Sequence, residues 1–516
     1  MENQLPFKKR RAPARTTLRP VHDTDAPAEL DDVSGAANES GEAMLGPSLP
    51  LADREAVLEH AAGLILAAWK SFDHARPGQP LPNERHHALL RESLPEQTSR
   101  PQDALDAAAD VLDVSLAQSR PRYFAYIGSS GLEIGVLGDA LMASHDVNVA
   151  VSSGAADLLE AQTVRWVGQF VGFSTAAKGL MAAGGTISNL TALTAAREHA
   201  LPGVRQDGTG GRRLALYCSA EAHYSVHRAA EVLGIGARNV RSIPIDGQRR
   251  MQTSLCAEAI DRDLAEGVIP VAVVATAGTT LTGAVDDLDA LADVCTARGV
   301  WMHVDGAYGL PAAATKRRAL FQGLPRANSA TVDAHKWLYV PKSCSVLLVH
   351  DTTALENAFS HYEGYIPHGE ELHAVDRTLE YSRPLSALKL WLAFRVHGAG
   401  RIRAAIERNL DEAQLLARLL SNDPRFQLLA EPPLSVVCFR RVLDDAEAED
   451  DHNQALAAAL ARDGRILIAP ARADGRTWLR AGLVNHRTTE ADVRTIPEVA
   501  GEVSDVLLRS SPESLR

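Results

Sequence analysis

Val300-Trp301-Met302-His303-Val304-Asp305-Gly306-Ala307-Tyr308 is a short apolar run that ends on a carboxylate and is followed at once by small residues. Such a run, too short for a helix and with little alternation, reads as a strand covered on both faces. Four more surround it in the chain, over residues 214–218, 271–275, 329–332 and 345–349. Helical patterns lie between and before them, among them 190–199, 223–233 and 288–297. Strands that alternate with helices predict an α/β domain with a mostly parallel central sheet. In such a sheet ligands gather beyond the carboxyl ends of the strands, so the polar residues just after each run come first.

Outside this region the patterning changes. Residues 1–48 have little to bury and read as a flexible extension. Val57, Leu58, Ala61, Leu64, Ile65, Ala68 and Trp69 recur at helical spacing, and 104–116 repeats the pattern, so 49–130 is expected to be a helical N-terminal segment. The large domain is expected over 131–392. A long helical pattern from 385 leads into a small α+β domain over 393–516, with strands at 435–439, 466–469 and 478–483 and helices at 456–461 and 493–508.

Composition narrows the function. The 516 residues are 46% hydrophobic and 23% charged, as in a globular protein. No apolar run approaches the ~18 residues of a membrane span. The net charge of -12 argues against a nucleic-acid partner. Five scattered cysteines with no CxxC pair suit a reduced, cytoplasmic protein and give no zinc spacing. The N-terminus lacks a secretory apolar stretch, and Pro6, Pro13 and Pro20 break any amphipathic transit helix. A small-molecule substrate is expected.

Of 53 basic residues only eight are lysines, so an amine nucleophile has few candidates. Lys336 follows the run 329–332 within Val-Asp-Ala-His-Lys-Trp-Leu, where an amine beside a His could act as a nucleophile; a solvated amine is the alternative. Asp305 reads either as a turn or N-cap acid, or as an anion that holds a proton on a ring nitrogen. Ala182-Ala-Gly-Gly-Thr-Ile-Ser-Asn189 precedes a helix; it is either a phosphate cradle or a Gly turn with an N-cap Ser. His223, in His-Tyr-Ser-Val, and Thr279-Thr280 follow two further runs in the same way.

In this order, Gly-Gly-Thr-x-Ser-Asn, His-x-Ser-Val, Gly-Thr-Thr, His-Val-Asp-x-Ala-Tyr and His-Lys-Trp resemble the pyridoxal-phosphate-dependent group II amino-acid decarboxylases, over about Pro121 to Arg480. That family includes aromatic-amino-acid, glutamate, cysteine-sulfinate and diaminobutyrate decarboxylases. The resemblance implies a fold-type I, aspartate-aminotransferase-like enzyme with pyridoxal 5'-phosphate as cofactor. It also implies a homodimer with shared active sites, whose N-terminal segment packs on the partner. Lys336 would bind the cofactor aldehyde, Asp305 the protonated pyridine nitrogen, and His223 and Ala307 the two ring faces. Gly185, Thr186, Ile187 and Ser188 would hold the phosphate, with Thr280 near the ring and His335 beside the lysine. The activity implied is α-decarboxylation of an L-amino acid to a primary amine and carbon dioxide. An aldehyde-forming oxidative deaminase is the alternative, and an aminotransferase comes after it. The proton returned to Cα would come from a loop tyrosine, with Tyr365 ahead of Tyr362 and Tyr381.

Departures from the family pattern bear on the substrate. Asp333-Ala334 stands where many relatives have Asn-Pro, and an acid there would repel a phosphate unless protonated or paired. Ile127-Gly128 and Asn148 replace residues typical of aromatic-amino-acid enzymes, which argues against an aromatic side chain and leaves room for an aliphatic, acidic or diamino one. The substrate class stays open among aromatic, aliphatic, acidic and diamino. Arg383 is either an anion contact or half of a structural ion pair.

Overall fold

The computed structural model describes residues 48–49, 51–73, 81–116, 118–151, 153–361, 373–445 and 447–510. A boundary between Glu59 and His60, inside the helix Leu51–Phe72, separates two units. The first is described over 48–49 and 51–59; the second, from His60, holds everything below.

Seven strands form the central sheet: β1 Lys178–Ala182, β2 Leu214–Ser219, β3 Val240–Ile243, β4 Ile269–Thr276, β5 Trp301–Asp305, β6 Ser329–Asp333 and β7 Ser345–Val349. Their order is β1-β7-β6-β5-β4-β2-β3. Pairings among β2 to β6 are parallel, and β7 runs antiparallel to both its neighbours. Every residue of β2, β5, β6 and β7 is buried, which explains runs without alternation. The helix Gly185–Ala200 packs on β4 through β7, while Thr253–Ala265 and Leu288–Arg298 both pack on β4. The α/β class with a mostly parallel sheet is thus the observed one.

All five expected runs are strands, and four of them, β2, β4, β5 and β6, end one residue past the apolar pattern. Asp305 and Asp333 are therefore the last residues of β5 and β6 rather than loop residues. Two strands carry no clear sequence signal. β3 is four residues long. β1 contains Gly179 at φ +142, where a Cβ would lie 1.8 Å from the Leu347 carbonyl oxygen, so only glycine permits this pairing. The helix expected at 190–199 begins earlier, at Gly185.

The helix Ala387–Ser421 is interrupted at Gly398 (φ 72°) and leads to a four-stranded antiparallel sheet. Its strands are β8 Phe426–Leu428, β9 Val436–Arg441, β10 Ala469–Ala473 and β11 Arg476–Gly482. Leu416, Phe439, Leu456, Leu479 and Val493 fill the core beneath it. The strand expected at 466–469 lies instead at Ala469–Ala473. Register is set by the Asp474-Gly475 turn, both residues at positive φ, which pairs Ala473 with Arg476. Ile466 and Ile468 are apolar because they enter the core. Among the described residues, no helix is long and apolar enough to cross a membrane.

Buried polar ties join these parts. Arg383 makes a bidentate pair with Glu160 (Nη2–Oε1 2.8 Å, Nη1–Oε2 3.1 Å) and donates to the Met181 carbonyl. Trp337 Nε1 and Tyr339 OH both donate to Asn409 Oδ1, whose amide donates to Glu412. Burial pushes the Glu412 carboxyl up to about 7.

Two measurements follow from these ties. Arg383→Leu strands a buried carboxylate and is expected to lose about 3–5 kcal/mol in denaturant unfolding, most of it recovered by adding Glu160→Leu. For Glu412, a folded pKa above the unfolded one means that ionisation opposes folding, increasingly as pH rises from about 4.5 to 7. Glu412→Gln removes that penalty, on the order of 3 kcal/mol. Its melting-temperature advantage over the parent should therefore grow between about pH 5 and 8 and be absent below about pH 4.

Candidate active site

Loops leaving the carboxyl ends of β1, β2, β4, β5 and β6 surround a cavity of ≈ 470 Å³. Because β7 is antiparallel, its N-terminal end reaches the same edge and brings Lys342 and Ser343 into the lining. Gly185, Thr186 and Ile187 line the cavity after β1, His223 after β2 and Thr280 after β4. Asp305 with Ala307, and His335 with Lys336, complete it from β5 and β6.

Asp305 is 6% exposed. Its Oδ2 accepts from Asn189 Nδ2 at 2.9 Å and its Oδ1 from the Ala307 backbone N–H at 3.2 Å. Burial lowers the pKa of His223, opposed by Asp305 and reinforced by Lys336. Lys336 Nζ lies 3.0 Å from Asp333 Oδ2, so the acid that replaces the expected Asn is paired. Asp333 Oδ1 is buried without a hydrogen-bond partner. His335 Nδ1 donates to the Cys344 carbonyl at 3.0 Å, leaving Nε2 unprotonated in the neutral ring, and burial lowers its pKa. Lys342 is lowered by burial and then by Lys336.

The glycine loop starts the helix Gly185–Ala200, and the Ser188 N–H donates to the Gly184 carbonyl. The N–H groups of Gly185, Thr186 and Ile187 belong to the first turn, which has no partners within a helix and favours an anion. A Cβ on Gly185 would lie 2.8 Å from Asp333 Oδ2 and 3.2 Å from Ala307 Cβ, so the approach needs glycine. Arg480, on β11, donates to the carbonyls of Thr280 (2.7 Å) and Ala125 (2.8 Å) and ties the β4 loop down. Tyr308 stacks on Trp337 at 5.1 Å and bonds the Ser435 hydroxyl at 2.6 Å.

An amine for a carbonyl carbon, a carboxylate for a ring nitrogen, an imidazole and a helix N-terminus thus face one cavity. That donor set fits pyridoxal phosphate, the group the motifs imply. Ser188 departs from expectation: its hydroxyl bonds Thr331 Oγ1 at 2.9 Å, behind the cavity wall. The helical turn that brings Thr186 to the lining turns Ser188 inward. Tyr362 and Tyr365 lie outside the described residues. Tyr381 lines a separate cavity with Phe359 and Leu379. Arg383 is held by Glu160, and Asn148 Oδ1 accepts from the Ala150 and Arg383 backbones.

Sequence reasoning gave no role to Asn189, Ser225 or Lys342. The first two sit inside the quoted motifs, so motif spacing was the available signal. Lys342 reaches the site only through the reversal of β7.

Residues 82–442 match the pyridoxal-dependent decarboxylase conserved domain. The chain is 30% identical over 419 residues to an aromatic-L-amino-acid decarboxylase of Bacillus atrophaeus, covering 79% of this chain and 86% of that protein. It is 33% identical over 354 residues to an L-2,4-diaminobutyrate decarboxylase of Rhizobium meliloti (strain 1021), covering 68% and 70%. The structure of Oryza sativa TDC with PLP and tryptamine superimposes with a TM-score of 0.85 at 25% identity, over 90% of this chain and 100% of that one.

Gly278 gives a direct test of the cavity wall. It has φ +109, and a Cβ would lie 2.9 Å from Gly309 Cα. Gly278→Ala is expected to lose about 2 kcal/mol or more in thermal or denaturant unfolding, whereas Gly172→Ala, at φ +75 with open space, should lose less.

Proposed function

The chain belongs to the pyridoxal-dependent decarboxylase family, and from that premise we propose that it removes the α-carboxylate of an L-amino acid as carbon dioxide and releases the primary amine. The observation that carries this reading is that Lys336, Asp305 and His223 line a single cavity at the sheet's carboxyl edge.

When bound, pyridoxal phosphate supplies a conjugated ring that takes up the electron pair left as carbon dioxide departs. Lys336 would hold the aldehyde carbon and yield it to the substrate amine. Asp305 would keep a proton on the ring nitrogen, and His223 and Ala307 would bracket the ring. The first-turn amides of Gly185 and Ile187, with Thr186, would hold the phosphate, while Thr280 and His335 border the ring and the lysine. Asp333, paired with Lys336 at 3.0 Å, would keep that amine close to its working position. Tyr365 keeps the part that the family resemblance gives it, donor of the proton returned to Cα. A homodimer in the cytoplasm completes the reading, and five free, buried cysteines suit a reducing compartment.

A panel of aromatic, aliphatic, acidic and diamino L-amino acids decides both reaction and substrate. Carbon dioxide and amine should appear in equal amounts from one class. Aldehyde, ammonia and peroxide in place of amine would overturn α-decarboxylation, as would amine exchange with a keto acid and no carbon dioxide. Lys336→Ala should reduce carbon dioxide release to background and lose the visible absorbance of the cofactor-loaded protein.

A further inference from the structure

Behind Asp305 lies a hydrogen-bond chain whose direction follows from one backbone amide. The Ser225 backbone N–H donates to Nδ1 of His223 at 3.3 Å. That nitrogen is therefore an acceptor, and the proton of the neutral ring sits on Nε2. The Ser225 hydroxyl lies 2.9 Å from the same Nδ1 and donates to it. Its oxygen is left to accept, which it does from Asn189 Nδ2 at 3.1 Å. The other hydrogen of that amide goes to Asp305 Oδ2 at 2.9 Å.

With both amide hydrogens placed, Asn189 Oδ1 must accept, and its partner at 3.0 Å is His303 Nε2. His303 is fully buried, and that burial pushes its pKa down to about 4, so the ring is neutral and carries its one proton on Nε2. His303 Nδ1 then accepts from the Ser329 hydroxyl at 2.8 Å. Ser329 accepts in turn from the indole N–H of Trp301 at 2.9 Å. Asn189, Ser225, His303 and Ser329 are each at most 1% exposed, so water does not compete for these groups. A flipped Asn189 amide would set its oxygen against the Ser225 oxygen and the Asp305 carboxylate together.

We infer that Asn189 and His303 are positioning residues of the site: one buried amide, oriented by a neutral imidazole, aims one N–H at Asp305 and the other at Ser225. It thereby orients the carboxylate and fixes the Nε2–H form of His223. The inference rests on the reading of Asp305 and His223 as cofactor contacts, and it adds the reason why both are held ready before a cofactor arrives. Neither Asn189 nor His303 need touch the substrate.

Two measurements on cofactor-free protein test it. In the unsubstituted protein, 15N-imidazole spectra, assigned with His223→Gln and His303→Gln, should show both rings as the Nε2–H tautomer; Nδ1–H on either ring overturns the inference. Pyridoxal phosphate titrated by tryptophan fluorescence should bind about tenfold or more weakly to Asn189→Leu than to the parent. In an Asp305→Ala background, adding Asn189→Leu should cost at least about threefold less affinity than it does in the parent, because the share of its effect that passes through Asp305 is already gone. Equal losses in both backgrounds would mean general structural damage and also overturn the inference. Should Asn189→Leu fail to fold, the spectrum of the unsubstituted protein decides alone. If that protein does not bind pyridoxal phosphate at all, the functional reading fails while the tautomer result still stands or falls by itself.

Discussion

A carboxylate buried at the end of a fully buried strand must have its charge met by hydrogen bonds, because leaving it unmatched costs several kcal/mol. Asp305 is in that position, and the groups that answer it organise the site. The Ala307 N–H requires the chain to turn immediately after β5. The Asn189 amide requires the helix Gly185–Ala200 to cross the sheet at that height, which sets its first turn, and hence Thr186 and Ile187, at the cavity. His223 is drawn in through Ser225. One buried charge thus couples three loops.

The remaining walls depend on longer reach. Arg480 lies 200 residues beyond Thr280, yet it holds that residue's carbonyl and, with it, the β4 loop. Tyr308 is pinned between Trp337 and Ser435, so the segment after β5 is braced by the small antiparallel sheet. Asn409 collects both Trp337 and Tyr339 where the chain enters the strained turn in which Tyr339 has φ 59 and Ser343 φ 60. Backbone held in that region by a buried anchor is a feature of sites whose geometry is fixed in advance. Asp333, buried at the end of β6, has Lys336 Nζ at 3.0 Å as its counter-charge.

Much of this was legible in one dimension. Five apolar runs marked strands because burial on both faces leaves a local trace, and residues just past four of them lie at the cavity because those parallel strands end at one edge. The missing strands had no such trace: β3 is too short, and β1 depends on a glycine whose need arises only from the Leu347 carbonyl opposite. The displaced hairpin at 469–482 shows another limit, since Ile466 and Ile468 enter the core and Leu467 bridges Tyr123 instead of joining the hairpin ladder. Ser188 sat in the right motif and faces the wrong way for the role given it, because side chains two positions apart on a helix point to different sides.

By itself, the sequence determined the α/β class and, through the family its motifs resemble, the cofactor; it also singled out Lys336, Asp305 and His223, which the structure brings to one cavity. Those are properties of residue type, order and local burial, and they survive without coordinates. Only the tertiary structure decided that Asp333 is paired and that Arg383 is spent on Glu160. It also decided that Lys342 enters through a reversed strand and that Asn189 joins Asp305 to His223. Each of these depends on where atoms from distant segments meet. Hydrogen bonding is directional over about 3 Å, and no spacing along the chain encodes a direction.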